Sequence, residues 1–329
     1  MRAAALLLLL CAGARGEEIR IEIARGLTTA RVESQGRTQV LRGPARFDGP
    51  VRLEGRKLPG SLELFADGGK LVAVNVVDLE QYVAAVVASE MPPGWPEESL
   101  KAQAVAARTF AVAQKIASGP GARAHLGASV LDQVYKNSAD PPASTIAAAR
   151  ATAGEVLTWG AAPIAAYFSA SCGGVSESAE AAFHLSRGTT PYLHGDEGDS
   201  DERPWSVRVP LVEMTAALRR AGRLRAAVNG VSVSARTSSG RARTVLLQTS
   251  AGPRPLPAVE LRQLLGYARL PSLLFEVETG GGAAHFRGKG SGHGVGLCQW
   301  GAHLRAEKGA SYREILAHYY PGAEIRRMY

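Results

Sequence analysis

Asp78-Leu79-Glu80-Gln81-Tyr82-Val83, continued by Val86, Val87, Glu90 and Met91 and broken by Pro92-Pro93, is where the chain changes character. Asp78 is a helix N-cap, and Gln81 three residues later completes a capping-box pattern. Leu79, Tyr82, Val83, Val86 and Val87 recur at the spacing of one helical face. The helix has to end near Glu90-Met91, because a residue before proline is driven out of the α region. Pro96-Glu97-Glu98 starts a second helix, with proline in its first turn and carboxylates at its positive end. Its alanine-rich continuation to about Ile116 suits close packing.

On the N-terminal side the period is two. Ile19, Ile21 and Ile23 alternate with polar residues, and Val51-Arg52-Leu53 and Leu62-Glu63-Leu64 repeat the habit. Gly49-Pro50, Pro59-Gly60 and Asp67-Gly68-Gly69 punctuate this stretch as turns, and its last strand runs near Leu71 to Val77. On the C-terminal side, Gly119 to Asp140 reads as a loop with a short strand and Ser144 to Ala153 as a helix. Strands follow around Glu155 to Trp159 and Ile164 to Ser169, then a small-residue loop from Ser171 to Ser178. From Leu185 to Val277 the texture turns to arginine-rich strands, with a hairpin about Ser239-Gly240 and a short helix near Ala258 to Leu265. A glycine loop from Gly288 to Gly296 precedes a helix ending near Gly309, and Ser311 with Glu314 caps a last helix that stops at Pro321-Gly322. The expected fold is α+β: a β-rich segment over 17–77, a mixed helical core in two parts (78–184 and 286–329), and a β-rich insert over 185–285.

The 329 residues are 46% hydrophobic and 21% charged, which excludes a disordered chain. Three cysteines exclude a disulfide scaffold, and no Cys/His spacing reads as a zinc finger. Residues 1–16 have the form of a signal peptide: Arg2, five consecutive leucines, and small residues at Ala12-Gly13-Ala14. Leu10 before Cys11 argues against lipidation, and the apolar run is too short to span a bilayer. An exported chain without a membrane span is therefore expected, in the periplasm or cell-wall space. The formal charge of +8 falls to +6 when Arg2 and Arg15 are removed, so a basic balance remains. It is compatible with an acidic polymer as partner and equally with mere compositional habit.

Three segments carry the polar or glycine-rich residues that chemistry needs. Glu90 closes a helix, where the negative end of the dipole and apolar neighbours disfavour its charged form, as a general acid near neutral pH requires. On position alone the commoner reading is the end of a surface helix. Cys172, followed by two glycines, reads either as a nucleophile on a tight turn or as a small buried residue. His293 lies between Gly292 and Gly294, which allow the backbone to approach a ligand closely; hydrogen-bonding and catalytic roles are both open.

Taken together, Leu79 to Val83, Ala88 to Pro92, Trp95-Pro96 and Leu100 to Thr109 resemble the stage II sporulation protein D family, which includes amidase enhancers of cell-wall lysis systems. The likeness continues through Asp132-Gln133-Val134-Tyr135, Ser171-Cys172-Gly173-Gly174 with Glu177 to Glu180, Gly292 to Gly296 with Gln299 and Gly301, and His318 to Gly322. It implies a peptidoglycan lytic transglycosylase cutting between N-acetylmuramic acid and N-acetylglucosamine in glycan strands stripped of stem peptides. Glu90 matches the family's catalytic acid, and the saccharide-binding candidates are Asp132, Gln133, Tyr135, Ser171, His293 and Gln299. A different class of function is a non-catalytic glycan-binding enhancer that uses the same cleft and recruits a cell-wall amidase. Nucleic acid is not an expected partner. Some members hold zinc just before the Gln-Val-Tyr motif. Here Gly127 to Asp132 offers no ligand set, so no metal or other cofactor is expected. Cys172 and Cys298 are left either to pair or to stand as separate thiols.

Overall fold

The computed structural model describes residues 17–127, 135, 140–195 and 202–329. The expected signal segment, Asp132 and Gln133 lie outside them. Helices and strands mix in an α+β fold. Strand Lys70–Asp78 is its hinge. It lies between Ser61–Asp67 and Glu18–Leu27 in a five-stranded sheet whose outer members are Ala45–Phe47 and Leu126–Gly127. Its apolar run is buried on both faces, as in the middle of a covered sheet. One face packs on a four-stranded sheet (Arg37–Leu41, Ala30–Ser34, Val51–Leu53, Arg56–Leu58) through Leu62, Leu64, Leu71 and Ala73. The polar exception, Asn75, is satisfied: its amide donates to the carbonyls of Pro59 and Ser61 at 2.7 and 2.9 Å and it accepts from Tyr135 Oη at 2.9 Å.

The strand runs directly into α1 (Leu79–Glu90), and Asp78 Oδ1 accepts from the N–H groups of Glu80 and Gln81. After the proline break come α2 (Glu97–Ser118) and α3 (Ala143–Ala151). A buried cation ties these helices together. Arg108 on α2 has 0% side-chain exposure and forks onto Glu80 of α1 at 2.8 and 2.5 Å. It also donates to the carbonyls of Ala149 on α3 and Glu155 on strand Glu155–Trp159, at 3.0 and 3.1 Å. All five guanidinium protons point at acceptors, which is how a fully buried arginine is tolerated.

Between strand Phe168–Ser169 and strand Leu297–Cys298 the chain leaves the core and returns. It first forms α4 (Ala179–Phe183) and then the insert, where sheets Pro204–Pro210/Ala283–Lys289/Phe275–Gly280 and Val228–Arg236/Ala242–Thr249/Arg254–Pro257 enclose their own core of Val209, Met214, Val245, Leu261 and Phe286. The arginine-rich texture of this stretch concealed one element. Leu211–Arg220 is a helix, α5, whose Met214, Thr215, Ala217 and Leu218 form one buried face. Helix α6 (Ala258–Leu265) and the hairpin fall where expected. The strand expected over Ile164 to Ser169 is reduced to Phe168–Ser169, because it finds only a two-residue partner. Helix α7 (Gln299–Glu307) and helix α8 (Tyr312–Tyr319, with the Ser311–Glu314 capping box) then return to pack on α2.

Burial alone would raise the Glu80 carboxyl, but the Arg108 fork, the Tyr329 hydroxyl and the Gly154 N–H outweigh it and hold it below its ordinary 4.5. A depressed carboxyl stabilises the fold fully above 4.5 and loses that contribution as pH falls through the lower folded value. Glu80→Gln, which leaves a buried guanidinium without its counter-charge, is expected to cost roughly 3 kcal/mol in urea unfolding at pH 7. The deficit relative to the unaltered chain should shrink in acid; a deficit that stays constant to pH 3 would contradict this assignment.

Candidate active site

The site is assembled from two helix ends, the buried face of a third helix and two loops. Glu90 is the last residue of α1, and Met91 closes the helix by donating to the Val87 carbonyl at 2.9 Å. Gln299, first residue of α7, is buried and donates from Nε2 to Glu90 Oε2 and to Gln103 Oε1 of α2, each at 3.3 Å. The helix break between α1 and α2 thus brings a carboxylate and two amides from three helices to one point.

Opposite these helices, Phe168–Ser169 pairs in parallel with Leu297–Cys298, and Ser171 exchanges backbone hydrogen bonds with Ser291 at 3.0 and 2.9 Å. The glycines here allow parts of the protein itself to approach. At Gly296 (φ +68°) a Cβ would collide with the Tyr167 carbonyl, and at Gly294 (φ +76°) with the Arg241 guanidinium. The close approach expected toward a ligand is thus made largely within the chain.

Glu90 lines one side of a cavity of about 590 Å³, within the range of ligand pockets. Its lining combines the aromatic rings of Tyr167, Phe168 and Phe183, the polar His293 and Ser291, and Arg243, Arg262 and Tyr267 of the insert. His293 is half-buried, with Nδ1 accepting from Val295 N–H at 3.0 Å and the ring hydrogen-bonded to the Phe168 backbone. Burial in the cavity, reinforced by Arg262 and Arg241, pushes its pKa down to about 4. It is a neutral, doubly anchored ring and not an acid near neutral pH.

The second carboxylate of the cavity has a different task. Glu177 is 2% exposed, and its oxygens accept from Ser178 N–H at 2.9 Å and from the hydroxyls of Thr237 and Ser239 at 2.5 and 2.8 Å. Ser239 in turn accepts from Arg241, which also donates to the Cys172 carbonyl at 2.6 Å. This network joins the insert's hairpin to the Ser171-Cys172-Gly173-Gly174 loop. Burial lowers the pKa of Arg241.

The structure therefore gathers Glu90, His293 and Gln299 at one place. Ser171 is buried, with Oγ accepting from Gly173 N–H at 3.2 Å, and Tyr135 lies in the core against Tyr82 and Asn75; neither lines the cavity. Cys172 and Cys298 are buried and not joined by a disulfide, with Cys298 Sγ accepting from Cys172 N–H at 3.2 Å. The Cys172 thiol's hydrogen bond and burial push the Cys298 thiol up, and burial keeps both cysteines from standing as exposed nucleophiles. The segment read as free of a zinc set falls mostly outside the described residues; among those, no group of three or more His, Cys, Asp or Glu is placed to hold a metal. Gln103, Tyr167, Glu177, Arg241, Arg243 and Arg262 were not singled out as site residues from sequence. Only Gln103 left a clear signal there, as a polar residue on the buried alanine face of a helix.

An imidazole NMR titration of the intact chain is expected to place the His293 midpoint near pH 4. Because the folded value lies below the ordinary 6.5, this group's contribution to stability is complete above 6.5 and declines as pH falls toward 4. A midpoint near 6.5 would refute the anchored, neutral ring.

Comparison with known proteins gives the chain its relatives. Residues 67–159 match the model of the stage II sporulation protein family, and 193–296 match a domain of unknown function. The chain is 34% identical to stage II sporulation protein D of Bacillus amyloliquefaciens, over 77% of this chain and 75% of that one. It is 31% identical to its counterpart in Bacillus subtilis strain 168, over 77% and 76%. An amidase enhancer of the latter organism is 28% identical over 73% of this chain but only 39% of its own length. With its helix-end carboxylate, its paired loops and these relatives, the chain belongs to the stage II sporulation protein D family.

Proposed function

We propose that the protein is an exported peptidoglycan lytic transglycosylase that cleaves the bond between N-acetylmuramic acid and N-acetylglucosamine in denuded glycan strands, with Glu90 as its single acid and base. The observation that carries this reading is the contrast between the cavity's two carboxylates. Glu90 faces the cavity from a helix end, whereas Glu177 is spent on internal hydrogen bonds. A hydrolase of the usual kind needs two working carboxylates; an intramolecular lyase needs one. Glu90 gives its proton to the glycosidic oxygen as the bond to the muramic C1 breaks. The resulting carboxylate then takes the proton from the same sugar's C6 hydroxyl, whose oxygen closes on C1 to form the 1,6-anhydro ring. The nucleophile is already tethered, so its entropic cost is small. The aromatic wall suits the apolar faces of sugar rings, and Gln299 orients Glu90 through its amide.

Purified protein incubated with denuded glycan strands is expected to release anhydro-muramic ends detectable by mass spectrometry. Glu90→Gln should reduce the rate by about 10²-fold or more. Full activity in that variant would eliminate Glu90 as the acid. Gln299→Leu, which removes the orienting hydrogen bond, should lower kcat by roughly tenfold with little change in KM; a change confined to KM would assign Gln299 to substrate binding.

The similarity to an amidase enhancer favours a second reading, in which the cavity holds glycan without cutting it and the protein assists a cell-wall amidase. Glycan binding with no anhydro product, together with a faster amidase in a mixed assay, would select that reading. Both place the protein outside the cytoplasm, in the periplasm or cell-wall space.

A further inference from the structure

Three guanidinium groups face the cavity, and they are not equivalent. Arg241 donates to Ser239 and to the Cys172 carbonyl. Arg262 donates to the carbonyls of Leu270 and Pro271 at 2.7 and 2.5 Å, and burial pushes its pKa down to about 10. Arg243 is exposed on the cavity wall, and among the described residues no carboxylate, carbonyl or aromatic ring engages it. It stands near the start of strand Ala242–Thr249, at a bulge between the pairs Ala242–Arg236 and Thr244–Ala235, with its side chain available. Against these three cations the cavity sets two carboxyl groups, Glu90 and Glu177, and two histidines, His184 and the neutral His293. With Glu90 protonated, as its role as acid requires, the cations outnumber the anions of the cavity, inside an apolar-walled concavity where an anionic ligand group would meet less competition from water than on open surface.

Resting on the proposed action on glycan, we infer that Arg243 is a specificity-determining residue that reads a carboxylate carried by the saccharide itself, the lactyl group of a muramic acid residue with no stem peptide attached. The guanidinium fork matches a carboxylate with two parallel hydrogen bonds. Attaching a peptide converts that carboxylate into a neutral amide, which removes the charge and adds bulk to a cavity of about 590 Å³. The same arginine therefore attracts the bare sugar and gains nothing from the substituted one. The specificity then lies in the insert, whereas the acid belongs to a helix of the core.

The test is calorimetric binding of the intact chain to three tetrasaccharides: a denuded N-acetylglucosamine–N-acetylmuramic acid repeat, the same repeat bearing stem peptides, and chitotetraose, which has no carboxylate. The unaltered protein should bind the denuded repeat most tightly, and the preference should shrink as salt is raised. Arg243→Gln should weaken the denuded repeat by about tenfold or more and leave chitotetraose within twofold, with Arg243→Lys intermediate. An equal loss for all three ligands would reduce Arg243 to a wall residue and overturn the inference. A loss confined to the peptide-bearing repeat would do so too, by assigning the anion to the peptide. Unchanged discrimination in Arg243→Gln, with its melting temperature preserved, would have the same force. Binding as expected without any anhydro product would sink the lyase reading and leave the role of Arg243 standing; failure of the unaltered chain to bind any of the three would sink both.

Discussion

The cavity exists because two backbone stretches more than a hundred residues apart touch without side chains between them. Residues 167–173 and 290–298 meet through a two-residue parallel ladder and a reciprocal Ser171–Ser291 bridge. A parallel pair cannot be closed by a tight turn; it needs a long crossover. Here the crossover contains a subdomain with its own core. The short ladder contributes little by itself, so glycine must let the strands and the Arg241 guanidinium come within contact distance. Tyr320 seals the same junction from behind, donating to the Tyr167 carbonyl at 2.7 Å and accepting from Leu297 N–H at 3.3 Å. That contact accounts for the polar tip of a fully buried residue in the His318 to Gly322 stretch.

Electrostatics divides the molecule into groups whose charge is consumed and groups whose charge is left for use. Arg108 and Glu80 satisfy one another at the centre of the helical core, and Arg241 and Glu177 do so, through hydroxyls, beneath the cavity. Burying such groups is costly, and removing one partner costs more than the pair contributes. Their role is geometric. The first pair fixes the direction of α1 and so the position of Glu90; the second fixes the insert against the small-residue loop.

What could be read from the sequence was what local chemistry determines. Asp78, the Pro92-Pro93 break and the Ser311–Glu314 box act within a few residues of themselves, and their helices lie where those signals put them. Glu90 could be placed at a helix end for the same reason. The glycines about His293 announced close approach, but not what would approach, because Ser169, Tyr167 and Arg241 are distant in sequence. Ser171 has the composition of a binding residue and is spent on backbone pairing. Tyr135 has a polar tip whose partner, Asn75, lies on a strand sixty residues earlier. Arg243 and Arg262 were invisible among many arginines, since only the folded insert separates a guanidinium that is occupied from one that is not. Helix α5 was hidden similarly, its apolar face being short and flanked by prolyl and arginyl residues.

The placement of the insert has an evolutionary consequence. Glu90, Gln103 and Gln299 all come from helices of the core, whereas Arg243, Arg262 and Tyr267 come from a stretch that leaves and rejoins that core at one junction. The two matched family models divide the chain in the same sense, one covering 67–159 and the other 193–296. Under the proposed roles, the acid and the reader of the saccharide's carboxylate are encoded in separable pieces of gene, and descendants could remodel the second, and so move to differently decorated polymers, while inheriting Glu90 and its neighbouring amides unchanged.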